Sequence, residues 1–327
     1  MSLSAVILAC DLGAAGDGEF VAQRRAAALA AEYRAAFGRV VIAQTEAQLQ
    51  KAIVANPSAA VAIEGSASSL LARDMLRDGA PLIYDSRGAV TAETESELLE
   101  RATLVTAATA SEAERLRDLT DVPVVVFREA ITRIAPSERQ RRAGQQLVVS
   151  RQVAVFAAVV GGSASTLLSV FGSRLGYLGS DQSLLLAEDL AAAVREQLQA
   201  SDPFYGAAFW SRTFTTDPYR GELFRALVER SDALVIQGGD PSRSRLSVPE
   251  AILTGKPVLL PAASIVGYEE LAALSSVVVA DEPVFGPRLA GMLAAPPAVD
   301  TAELERLRAV YAVSEGRQEL AIALGQL

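Results

Sequence analysis

The chain has 327 residues, half of them apolar, a formal net charge of −9 and no histidine. That length suits two ordinary domains with sizeable cores, and the acid excess argues against nucleic acid or anionic lipid as bulk partners, since both need a basic face. Without histidine there is no Ser-His-Asp or Cys-His catalysis and no His-ligated metal, and the lone Cys10 excludes an intrachain disulfide and a cysteine-rich metal site.

From the N-terminus, AVILACDLG reads as a strand entering a glycine-rich loop, Gly13 to Gly18, and EFVAQRRAAALAAEYRAAF as an alanine-rich helix. Strand VVIA (Val40 to Ala43), helix EAQLQKAIVA, strand AVAIEG (Ala60 to Gly65) and helix SLLARDMLRDG follow. PLIYDSRG (Pro81 to Gly88) is a strand ending in polar residues, and helix SELLERA, strand TLVTAA, helix SEAERLRDLT and strand VPVVVF (Val122 to Phe127) complete the series. Strands alternating with helices imply a parallel sheet covered on both faces. The apolar runs are continuous rather than alternating, as strands buried on both sides require.

The polar, basic stretch Arg128 to Gln146 reads as a linker. Gln152 to Ser173 carries no charge and is long enough to span a membrane. Its centre, GGSAS, favours a buried strand, a glycine turn and a helix instead. A second alternating series then runs through AEDLAAAVREQLQA, AAFWSRTF, GELFRALVERS, ALVIQ, PEAILTG, PVLLP and SVVVA. After the break APPAVD, the chain ends in TAELERLRAVYAVSEGRQELAIALGQL, a helical stretch. The expected fold class is α/β with two Rossmann-like domains, 1–135 and 146–300, and a terminal helix, 301–327. AVILAC is too short and lacks the basic leader of a signal peptide. No transmembrane segment is expected, and the location expected is cytoplasmic.

Ligands of such sheets sit beyond the C-terminal ends of the strands. With two units, those ends can face one cleft. The loops there would be Gly13–Gly18, Asp85–Gly88, Gly161–Ser163, Arg212–Pro218 and Gly238–Arg245. GAAGDG is not a dinucleotide fingerprint, and its Gly13 and Gly16 instead permit a tight turn and close backbone approach. Only Lys51 and Lys256 are lysines, so a phosphate must be met by arginine or by backbone amides. Arg212, Arg243 and Arg245 are the candidates, each also readable as a solvated loop arginine. Asp85 and Asp11 end strands and can meet acceptor hydroxyls or cap the following turn. Ser247 and Glu250 have capping-box spacing.

The second half, SDALVIQGGDPSRSRLSVPEAILTGKPVLL, resembles the nucleotide-sugar segment of GT-B glycosyltransferases, above all the large retaining family 4, through EA-x-x-x-GKPV. In the first half, PLIYDSRG followed by ESELLERATLVTAATASEAERLRDLTDVPVVVF is similar to that family's strand and acidic helix. The terminal helix with Tyr311 resembles the segment that crosses back onto the first domain. The resemblance implies two domains facing a cleft and a metal-independent, retaining transfer with no cofactor. It implies a nucleotide-sugar donor and a glycan or lipid-linked acceptor. Glu250 would hold the donor ribose, and Gly161, Gly162, Gly238, Gly239 and Asp240 would line the same site. The chain departs from the pattern at Ser242, where the motif's first glutamate stands, and the GGSAS loop lacks the usual basic pair. Those departures leave a second reading, a non-catalytic relative serving as a partner subunit or carbohydrate-binding protein. Nucleotide-sugar 2-epimerases share the GKPV-type segment, but their acid/base histidine has no counterpart here.

Overall fold

The computed structural model describes residues 5–10, 21–65, 79–87, 90–131, 135–172, 175–201, 203–215, 221–237 and 245–327. The chain divides into two units, one taking in Met1–Ile131 and Ala312–Leu327, the other Thr132–Asp240 and Ser244–Tyr311.

In the first unit the order is β1 (Val6–Ala9), α1 (Val21–Phe37), β2 (Val40–Ala43), α2 (Glu46–Ala55), β3 (Ala60–Glu64), β4 (Leu82–Asp85), α3 (Ala92–Arg101), β5 (Leu104–Ala107), α4 (Ala110–Arg117) and β6 (Val124–Val126). The strands form a six-stranded sheet in the order β2-β1-β3-β4-β5-β6, parallel throughout. Alternate residues of one strand enter different cores. Val6 and Leu8 pack with Leu29 and Tyr33 of α1, while Ile7 and Ala9 pack with Leu49 of α2 and Leu98 of α3. That is why the apolar runs are unbroken.

The second unit runs α5 (Glu138–Ser150), β7 (Val155–Gly161), α6 (Ala164–Phe171), β8 (Gln182–Leu186), α7 (Glu188–Ser201), α8 (Pro203–Trp210), β9 (Thr213–Thr215), α9 (Gly221–Arg230), β10 (Ala233–Ile236), α10 (Val248–Leu253), β11 (Val258–Leu260), α11 (Ala262–Ile265), α12 (Glu269–Ala272), β12 (Val277–Val279), α13 (Phe285–Ala294) and α14 (Thr301–Tyr311). Its parallel sheet has the order β12-β11-β10-β7-β8-β9. The uncharged stretch from Gln152 resolves into β7, a glycine turn and α6. No helix among the described residues is long and apolar enough to cross a membrane.

The second half of the stretch read as a linker, from Glu138 on, is the start of the helix α5. Ser137 and Gln140 close a reciprocal capping box at its start. Arg141 pairs with Glu229 of α9 at 3.0 Å. Gly144 lies against Ala226 and Leu227, so the helices approach closely where a side chain would separate them. Its polar residues are the outer face of a packed helix, which composition alone does not distinguish from a linker.

The chain returns to the first unit after α14. Arg128 and Glu315 form an isolated antiparallel bridge, and the helix α15 (Arg317–Leu324) seats Leu320 and Leu324 in the core that holds Tyr33 and Phe127. Gly316 makes this return possible. Its φ is +72°, and a Cβ there would fall on the carbonyl oxygen of Val126.

Candidate functional site

In the second sheet the chain builds β7, β8 and β9 outward on one side, then crosses to lay β10 on the other side of β7. The topological switch point therefore lies between β7 and β10, and the crevice beyond their C-terminal ends is where a doubly wound sheet takes its ligand.

Three separate segments meet there. Gly161 ends β7 and is buried, while Gly162 turns away with φ +126°, a conformation L side chains rarely adopt. A Cβ on Gly162 would stand 2.7 Å from Oε1 and 2.8 Å from Cβ of Gln237. Gln237 follows β10, and its N–H donates to the Gly161 carbonyl at 3.2 Å. The ladder between β10 and β7 slips by one residue after Val235, so Val160 has no partner in β10. The Val160 carbonyl accepts instead from the Arg245 N–H at 2.9 Å. This irregularity beside the presumed site re-aims the chain, as bulges do.

Helix α6 begins at the same turn. Ser163 is its N-cap, accepting from the Thr166 N–H at 3.2 Å, and the hydroxyls of Ser165 and Thr166 lie 2.9 and 2.8 Å from the Ser163 hydroxyl. The loop that lacks a basic pair thus offers hydroxyls and a helix N-terminus, both suited to an anion.

Arg245 donates to Asp189 Oδ1 at 2.7 Å and lies over the Phe224 ring, 5.3 Å from its centroid. Burial lowers its guanidinium to about 10, still charged at neutral pH. Glu250 completes both halves of the capping box on α10: its carboxylate accepts from the Ser247 N–H at 2.6 Å, and its own N–H donates to Ser247 Oγ at 3.3 Å. Arg308 of α14 donates to the carbonyls of Leu253 and Thr254, fixing the other end of α10. Gly13, Gly16, Gly238, Gly239, Asp240 and Arg243, with Asp11 and Ser242, lie outside the described residues.

No protein-family model matches the chain, and no curated protein does. Solved structures do match, over nearly the full length of both partners. Sucrose-phosphate synthase from Thermosynechococcus elongatus is 14% identical with a TM-score of 0.64, covering 99% of this chain and 98% of that one. Anabaena Alr3699/HepE, in complex with UDP and glucose, is also 14% identical, with a TM-score of 0.57 and the same coverage. A glycosyltransferase from Rickettsia africae ESF-5 is 10% identical, with a TM-score of 0.51, covering 100% of this chain and 97% of that one. The chain has the GT-B glycosyltransferase fold.

Two further residues chosen from the sequence have partners inside this GT-B fold. Asp85 ends β4 at the C-terminal edge of the first sheet. It is 2% exposed and is taken up by Arg25, whose Nε and Nη2 reach its two oxygens at 3.2 and 2.7 Å, and by the Thr106 hydroxyl at 2.7 Å. A carboxylate this deep needs a charged partner. Arg212 precedes β9 rather than following it. It sits at the N-terminal edge of the second sheet and donates to the carbonyls of Leu178 and Gly179 ahead of β8, at the opposite edge from Gly162.

Arg25 and Gln237 were not singled out. Arg25 sits in an alanine-rich helix and looks like a surface residue, so the sequence carries no signal for it. Gln237 did leave one: it is the polar end of an otherwise apolar strand.

Proposed function

We propose that this chain is a glycosyltransferase. It takes a nucleotide-sugar donor at the β7/β10 switch point of its second unit and moves the sugar to a hydroxyl of a glycan or lipid-linked acceptor. The observation that carries the reading is the Gly161–Gly162 turn, bare of side chains, with a Cβ on Gly162 excluded by Gln237, opening onto the hydroxyl-bearing N-terminus of α6. Backbone amides at such a turn can approach a diphosphate closely, and the helix dipole favours its charge. The neighbour in complex with UDP-glucose supports the ligand class.

In this reading the transfer is retaining and needs no metal. The bond from the anomeric carbon to the diphosphate oxygen breaks, the bond to the acceptor oxygen forms on the same face, and the acceptor proton passes to the departing diphosphate. No histidine is required for that proton. The α6 N-terminus and the Arg245 guanidinium stabilise the leaving charge. Glu250, besides closing its capping box, holds the donor ribose. Gly238, Gly239, Asp240 and Arg243 belong to the same site, and Gly13 and Gly16 serve the acceptor side. The protein works in the cytoplasm.

The test is thermal stability against UDP, GDP, ADP, CMP and their sugar conjugates. A ligand at 100 times its Kd adds about 2.7 kcal/mol to the folded state, a readable rise in Tm. One base raising Tm, with release of that nucleotide from its sugar conjugate when acceptor is supplied, supports the reading. Silence across the panel overturns it.

A further inference from the structure

We infer that the side-chain amide of Gln237 is a ligand contact, and that it holds a hydroxyl-bearing sugar ring of the donor, the ribose or the transferred sugar, rather than its phosphates. The inference rests on the functional reading above and deepens it.

Gln237 is 4% exposed, yet neither Nε2 nor Oε1 has a hydrogen-bond partner among the described residues. Another glutamine of the same unit shows how the fold treats a buried amide that belongs to the architecture. Gln182 is 7% exposed. Its Oε1 accepts from the Gly179 N–H at 2.9 Å and its Nε2 donates to the Ala290 carbonyl at 3.3 Å. Buried polar groups are nearly always paired, and an orphan in a native protein calls for an explanation, a functional role among them. A leucine at 237 would continue the apolar run Ala233–Ile236 with no such penalty, so stability alone does not explain the amide.

Its position gives the function. Gln237 stands at the switch point, against the one face of Gly162 where no side chain fits. Gly162 is half-buried and has no Cβ, so no side chain of its own covers the amide. The chemistry then selects the group. A primary amide offers two N–H donors and an acceptor oxygen and carries no charge. Phosphate oxygens at neutral pH only accept, so they would satisfy Nε2 and leave Oε1 facing a negative charge. A hydroxyl both donates and accepts and satisfies both ends.

The experiment uses the full chain with Gln237→Leu and, to preserve volume and flexibility, Gln237→Met. Tm is measured without ligand. Kd is measured for the sugar conjugate that binds tightest among those of UDP, GDP, ADP and CMP, for its free nucleotide and for its nucleoside. Both variants are expected to melt at or above the wild type. Both should bind the conjugate about tenfold or more weakly, the effect of hydrogen bonds worth about 1 kcal/mol each. A loss already present with the nucleoside and abolished when its 2′,3′-dideoxy form is used instead assigns the ribose. One that persists with the dideoxy form places the amide on the base and overturns the inference. A loss confined to the conjugate assigns the transferred sugar. Unchanged affinity overturns the inference, as does a loss that first appears when phosphates are added. Lowered Tm in both variants overturns it too, because the amide would then have an internal role. A wild type that binds nothing in the panel defeats the functional reading itself, an outcome distinct from a wild type that binds and variants that bind equally well.

Discussion

Replacing Arg25 with methionine should unfold the first unit selectively. The guanidinium is fully buried. It donates to both oxygens of Asp85, to Glu129 at 2.9 Å and to the Phe127 carbonyl at 2.5 Å, and its plane lies 4.9 Å from the Phe127 ring centroid. Methionine fills much of the volume but withdraws the only described cation on Asp85, whose remaining partner is the Thr106 hydroxyl. Glu129 is better off, since Arg87 still reaches it. Removing one partner of a buried ion pair costs about 3–5 kcal/mol, because the other charge stays behind unpaired. For a unit of this size that is a drop in Tm on the order of 10 °C. Urea denaturation followed by far-UV circular dichroism reads the loss. The only tryptophan, Trp210, lies on α8, so its fluorescence follows the second unit and separates the two. Adding Asp85→Asn to Arg25→Met should return about 1–2 kcal/mol by removing the stranded charge. A single-mutant loss under about 1 kcal/mol, or a double mutant no more stable than the single, would refute the account.

Three further outcomes are expected. Burial opposes ionisation of Glu129, but the charges of Arg87 and Arg25 outweigh it and hold the carboxyl down at about 2, against 4.5 unperturbed. Its contribution to stability is complete above pH about 4.5 and is lost as pH falls towards 2; Glu129→Gln should lack that part of the loss when urea midpoints at pH 3 and pH 6 are compared. Gly316→Ala should cost several kcal/mol, since the Cβ collides with the Val126 carbonyl, whereas Gly38→Ala, at φ +75° with nothing within 4 Å, should cost only about 1–2 kcal/mol of backbone strain; equal losses in thermal melts would show that the collision is relieved. Ser247→Ala and Glu250→Ala should each lose about 1 kcal/mol of cap energy, but only Glu250→Ala should also weaken nucleotide binding by calorimetry; parallel losses would leave Glu250 a cap alone.

The alternation of strands and helices was legible because it depends on local pattern. VVIA, EAQLQKAIVA and AVAIE occupy the elements read from them almost residue for residue. The capping box of Ser247 and Glu250 was legible for the same reason, being a contact between residues three apart. The helix α5 was missed because its apolar contribution is slight. It is positioned by its capping box, by Gly144 and by Arg141, whose partners on α9 lie far along the chain. Arg212 was placed beyond a strand it in fact precedes, because FWSRTF does not show where α8 stops and β9 starts. The Arg25–Asp85 pair joins residues 60 apart, and no local pattern announces it.

The described charged residues chosen as ligand contacts have internal partners: Asp85 has Arg25, Arg245 has Asp189, Arg212 has two carbonyls, and Glu250 has its cap. A charge withdrawn from water is costly enough that folding supplies it with a partner or keeps it at the surface. A charge read from sequence as ligand-facing therefore competes with every complementary group the fold brings near. A neutral amide is different. Left unpaired it costs about 1–3 kcal/mol, a penalty small enough for a folded chain this large to carry. That asymmetry is the reason the inference above rests on the neutral Gln237 rather than on the arginines and carboxylates around it.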